Sequence, residues 1–170
     1  MFVLGLDDVR LAQLLRLRRA DEYRFLELFR EEDVKSGRED VAEVVLAGAR
    51  RQLAEFEGPV DAIVGYWDFP VSTMLPILRR EHGLRTPSLE SVLRCEHKYW
   101  SRLEQYRSVP ECIPEFCLVD PSRADVDDQI TLPFPFWLKP VRSVKSHLGF
   151  LVRDPDDLRR AIDAIRIGIA

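Results

Sequence analysis

No hydrophobic run in this chain approaches the ~20 residues that span a bilayer, and the opening stretch MFVLGLDDVR turns acidic after six residues. Neither a transmembrane helix nor a secretory signal is expected. Cysteine is scarce: Cys95, Cys112 and Cys117 form an odd set without C-x-x-C spacing. That excludes a disulfide framework and a thiolate zinc site, and it points to the reducing cytoplasm. The three histidines, His82, His97 and His147, stand isolated among basic or polar neighbours and read as surface or structural positions, not metal ligands. Basic charge is not in excess either. Lys plus Arg number 25 and Asp plus Glu 29, a formal charge of −4 with a pI near 5.5, so no global field draws nucleic acid or an anionic membrane. Internal repeats and low-complexity stretches are absent.

What the chain does have is core-forming material. Its 170 residues, 46% hydrophobic and 9% aromatic, suffice for one ordinary domain or two small lobes and exclude a disordered acidic chain. Met1 to Leu6, an apolar run closed by Asp7 and Asp8, predicts a buried strand and a turn. Val9 to Leu17 predicts an amphipathic helix with Arg16, Arg18 and Arg19 toward its C-terminal end. Glu22 to Phe29 fits either a strand or a helix, with Tyr23 and Phe25 leaning to strand. Ser36-Gly37-Arg38-Glu39 fits a capping box. Val41, Val45, Ala49, Leu53 and Phe56 then recur at helical spacing until Gly58-Pro59. Val60 to Gly65 is a further strand. Strand, helix, strand, helix, strand predicts a parallel sheet with right-handed crossovers. In such a sheet ligands bind beyond the carboxyl ends of the strands, here at Asp7, Asp8 and the segment Tyr66-Trp67-Asp68-Phe69-Pro70. The same residues also fit a helix cap and a packed aromatic turn. Ser72 or Thr73 is expected to cap a helix through Glu81, with Pro76 tolerable only in the first turn. Thr86-Pro87-Ser88 opens another helix near the expected boundary between residues 1–87 and 88–170.

Beyond that boundary the texture changes. Glu96 to Arg107 reads as one helix with Tyr99, Leu103 and Tyr106 on a stripe and Lys98 off it. Pro110, Pro114 and Pro121 leave Glu115 to Val119 as a short strand and Ser122 to Gln129 as a polar loop. Phe134 to Val141 and Leu148 to Val152 read as strands joined by a polar hairpin loop, Arg142 to His147. Asp154 caps the last helix, with Pro155 at its first position and Leu158, Ala161, Ile162 and Ile165 on its apolar side.

The most informative residue is Lys139, inside the apolar context FPFWLKPV. A lysine there must reach solvent or an anion, because an unpaired buried ammonium costs several kcal/mol. The following loop supplies Ser143, Lys145, Ser146 and Gly149, which offer hydroxyls, a charge and backbone N–H groups, the donors that bind a polyphosphate. An edge lysine that snorkels, followed by an ordinary basic hairpin, is the plainer alternative.

On these residues the chain resembles the ATP-grasp superfamily, in the branch of the carbamoyl-phosphate synthetase large subunit and biotin carboxylase. Residues 1–87 resemble its Rossmann-like pre-ATP-grasp domain. Arg94-Cys95-Glu96-His97-Lys98-Tyr99-Trp100 resembles the helix that opens the ATP-grasp domain. PFWLKPV, then SVKSHLGF and the helix DPDDLRRAIDAI, resemble its lysine strand, phosphate loop, return strand and following helix, so residues 88–170 read as the first, α+β part of that domain. The resemblance implies that Lys98 and Lys139 contact ATP phosphates and that Ser143 to Gly149 close over them. It implies Mg2+ as the companion of ATP, and a reaction in which a carboxylate becomes an acyl phosphate and an amine then displaces phosphate, with unknown carboxylate and amine substrates. The family's adenine contacts and magnesium ligands are expected after the last helix of this stretch. Asp154, Asp156 and Asp157 read as a helix start, and the chain is therefore expected to be truncated and incomplete for catalysis.

Two rivals stand beside this reading. A non-catalytic remnant would use uncovered aromatic segments, Tyr66-Trp67 and Phe134 to Trp137, for homodimerisation or regulation. A phosphoacceptor receiver domain would use Asp7-Asp8, Asp68 and Lys139-Pro140, although the spacing of Asp68 and Lys139 fits it poorly.

Overall fold

The computed structural model describes residues 1–30, 32, 41–143 and 147–168, with the side chain of Val41 left aside. The capping box at 36–39, and Lys145 and Ser146, lie outside the described residues. The chain divides into two units, Met1–Val92 and Leu93–Ala170.

In the first unit, strand β1 (Phe2–Leu6) is central. It pairs in parallel with β2 (Leu26–Arg30), Leu4 opposite Leu28, and with β3 (Ile63–Val64), Phe2 opposite Ile63. All five β1 residues are buried, which is why its sequence is an unbroken apolar run without alternation. Helix α2 (Val41–Ala54) lays Val45, Ala49 and Leu53 into the core beside Phe2, Leu4, Leu28 and Ile63. Helix α3 (Val71–Glu81) adds Val71, Met74, Leu75 and Leu78. Bidentate pairing of Arg50 with Glu81 ties α2 to α3, and Arg79 donates to the Ile63 carbonyl at 2.5 Å.

Several expected boundaries shift. Helix α1 covers only Asp8–Leu14. Past it, Arg16 and Leu17 donate three residues back and Arg19 turns left-handed at φ 69°, which ends the helix and leaves Leu15 and Leu17 exposed. The third strand shrinks to two residues. Helix α3 starts before Ser72, and Pro76 sits in its second turn, not its first. The hydrogen bond that Pro76 forfeits is offset by the four core side chains the helix buries.

The second unit contains the second half of α4 (Leu89–Glu96), then α5 (Lys98–Ser108), β4 (Phe136–Leu138), β5 (Phe150–Val152) and α6 (Pro155–Gly168). The single helix expected over 96–107 is broken at His97, whose own backbone is extended. The strand expected over 115–119 is absent: no strand pairs with that segment, and Val119 packs sideways on the core instead. Strands β4 and β5 are antiparallel and shorter than expected, with Trp137 opposite Leu151. Their inner residues Phe136, Leu138, Phe150 and Val152 meet Val126, Leu158, Ala161 and Ile162. Val126 is thus a buried anchor within the otherwise polar 122–129 loop. The molecule is mixed α/β, and among the described residues it has one three-stranded parallel and one two-stranded antiparallel sheet. Among the described residues no helix is long and apolar enough to cross a membrane.

Candidate functional site

Lys98 is the first residue of α5, and its backbone N–H donates to the Val141 carbonyl at 3.0 Å. That bond places the helix start against the segment leaving β4. The Lys98 ammonium then reaches the Ser143 hydroxyl at 3.2 Å and the Ser143 carbonyl at 3.5 Å. Next to this contact Arg142 pairs with Glu96 at 2.8 Å, and the Glu96 side chain is only 13% exposed. Residues 96–98 and 141–143 are therefore fastened at three successive points. Two of the residues that the resemblance assigns to ATP phosphates, Lys98 and Ser143, come together although they are 45 positions apart.

Lys139 follows β4 directly and is exposed, not embedded in a strand. Its ammonium lies 5.1 Å from the centre of the Trp137 ring, a cation–π contact that holds a charge at the surface without burying it. Gly149 immediately precedes β5. An ammonium and a hydroxyl within hydrogen-bonding distance, on backbone tied by a carbonyl bond, form a donor set suited to a phosphate or another oxyanion.

Two features here left no mark in the residue pattern. His97 caps α5: its Nδ1 accepts from the Trp100 N–H at 3.3 Å, and its ring stacks on the Trp100 indole with centroids 4.1 Å apart. Burial first, and the Arg142 charge second, push its pKa below the ordinary histidine value. An Asp or Ser at that position marks a helix start, whereas a histidine does not. The Glu96–Arg142 pair, bridging two elements, left no local signal either.

In the first unit the carboxyl ends of the strands carry a separate cluster. Asp7 accepts from the Arg10 N–H at 2.7 Å and pairs with the Arg10 guanidinium, so it acts as the cap of α1. Arg10 in turn lies 4.3 Å from the Trp67 ring centre, and Trp67 donates to the Gly5 carbonyl at 3.1 Å. A shallow cavity of about 360 Å³ opens beside them, lined by Arg10, Gln13, Leu14, Leu17 and Tyr66. Asp8 and Asp68 are exposed, and Asp68 accepts from the Phe69 N–H. Among the described residues no three His, Cys, Asp or Glu side chains gather to hold a metal ion. That leaves no described residue singled out as a ligand of the Mg2+ expected with ATP. Compared with known protein families and with curated proteins, the chain matches no family model and no curated relative.

Proposed function

We propose that this chain binds ATP, with its second unit related to the front part of an ATP-grasp domain and its first unit to a Rossmann-like pre-ATP-grasp domain. The observation that carries the reading is the contact of the Lys98 ammonium with Ser143, since the resemblance assigns both residues to the same polyphosphate. Lys139, exposed at the end of β4, supplies the second cation, and the loop to Gly149 the further donors. Positioned ammonium groups and hydroxyls serve phosphoryl chemistry by matching the charge on the transferring group. The reaction class this binding would serve is ATP-dependent ligation of a carboxylate to an amine through an acyl phosphate. No step through magnesium is assigned to the described residues.

Isothermal titration of the chain with Mg-ATP tests the reading. A charged hydrogen bond contributes about 1.5–3 kcal/mol, so Lys98→Ala weakens ATP binding by about tenfold or more. Lys139→Ala acts in the same direction, and Asp68→Asn leaves affinity unchanged. Absence of binding at millimolar Mg-ATP, or an affinity in both lysine variants equal to that of the native chain, refutes it.

One observation favours a second role, self-association through the outer face of the small sheet. Trp137 is 63% exposed and its cross-strand neighbour Leu151 is 45% exposed, an apolar pair of the kind that partners cover. Sedimentation that is concentration-dependent in the native chain and lost in Trp137→Glu is the expected outcome of that role.

A further inference from the structure

The start of α5 depends on one side chain that can change its charge. A helix leaves its first N–H groups without intrahelical acceptors, and a capping side chain satisfies one of them. In α5 that acceptor is the Nδ1 lone pair of His97, taken up by the Trp100 N–H. Only the neutral imidazole with its proton on Nε2 has this lone pair. The same turn carries the Lys98 N–H that donates to Val141 and the ammonium that meets Ser143.

We infer that His97 is a proton-operated cap: neutral, it locks the first turn of α5 and so positions Lys98 against Val141 and Ser143; protonated, it releases that turn. Protonation removes the acceptor and puts a positive charge at the positive end of the helix dipole. The charged groups facing the imidazole act the same way. Arg142, from the segment after β4, and Lys98, on α5 itself, both disfavour the imidazolium, while Glu96 at the end of α4 is engaged by Arg142. Burial of the ring, which stacks on Trp100, disfavours the imidazolium more than either charge does. The lock on the helix start stands on these contacts alone. Its consequence for phosphate rests on the ATP reading above.

Amide hydrogen exchange read by NMR, corrected for intrinsic rates, separates the two. Across the titration of His97, followed through its ring resonances, protection of the Trp100 amide in the native chain is expected to fall as pH drops from 7.5 to 5. Loss of an N-cap corresponds to about a two- to thirtyfold loss of protection, with the Lys98 amide following. His97→Asn supplies a cap that does not titrate, so protection stays high and flat over the same range. His97→Ala is poorly protected at every pH. At pH 7.5, His97→Ala binds Mg-ATP more weakly than the native chain and His97→Asn restores binding to within about twofold, since Asn is among the preferred caps. Protection that ignores the titration of His97, or that varies in His97→Asn as it does in the native chain, overturns the inference. If the native chain binds no ATP while the amides behave as stated, the ATP reading fails and the proton-operated cap stands.

Discussion

Phe29 and Gly48 show how one residue's identity is decided by another. Phe29 lies on β2 with φ at 64°, a left-handed conformation that a bulky side chain adopts only under constraint. Its ring fills the space over Gly48 on α2, where a Cβ would stand 2.3 Å from Phe29 Cζ. Glycine inside a helix is worse than alanine by about 1 kcal/mol, so helix propensity taken by itself favours alanine at position 48. Overpacking a filled site costs about 1–3 kcal/mol, and here it outweighs the helix gain. Gly48→Ala is therefore expected to lower the urea midpoint of the native chain. On a Phe29→Ala background the ring is gone, and the same substitution is expected to stabilise by about 0.5–1 kcal/mol. A shift of the same sign on both backgrounds would contradict this packing. Gly5 obeys the same logic: at φ 74° it lets Trp67 close to within 2.9 Å of where a Cβ would sit.

Among the elements, α6 was the most legible in sequence, because all its signals agree. Asp154 accepts from the Asp157 N–H at 2.8 Å, Pro155 opens the helix, and Leu158, Ala161, Ile162 and Ile165 are buried at the expected spacing. The α4–α5 break was illegible because helical periodicity runs through His97 unchanged, and only the cap and the tie to Val141 reveal the stop. The false strand at 115–119 had the right residues and lacked a partner, which no local pattern supplies. Of the candidate site, Ser143 was legible as a hydroxyl donor and Lys98 only through the family resemblance, and their meeting was legible in neither way, since it depends on that same break. Helix α6 also carries a pH dependence. Hydrogen bonds from Arg153, then Arg160, pull the Asp157 carboxyl from the ordinary aspartate value down to about 2. A depressed carboxylate binds fewer protons folded than unfolded, so its contribution is complete above about pH 4 and disappears as pH falls toward 2. Asp157→Asn is expected to lower the thermal midpoint at pH 7, and the gap to the native chain should close on acidification through that window. A gap that stays constant from pH 7 to 2 would place the stabilisation elsewhere.

At the scale of the whole molecule, each unit has its own core, and the net charge of −4 says little about where an anion would bind. A unit charge about 20 Å away in water contributes about 0.2 kcal/mol, against about 4 kcal/mol for one at about 4 Å in a surface site of effective dielectric about 20. The dispersed acidic excess therefore does not outweigh a single lysine in contact with a phosphate. The two effects respond differently to salt, since both are screened and they have opposite signs. Raising ionic strength from about 0.01 M to 0.15 M shortens the Debye length from about 30 Å to about 8 Å. If Lys98 and Lys139 hold the polyphosphate, ATP binding weakens over that range, and the weakening is smaller in Lys98→Ala because one attractive charge is gone. If the global charge dominates, screening removes a repulsion and binding tightens instead. Titrations at the two ionic strengths, with native chain and variant, distinguish the cases by sign. Tightening with salt would mean that the cations beside Ser143 are not what ATP meets.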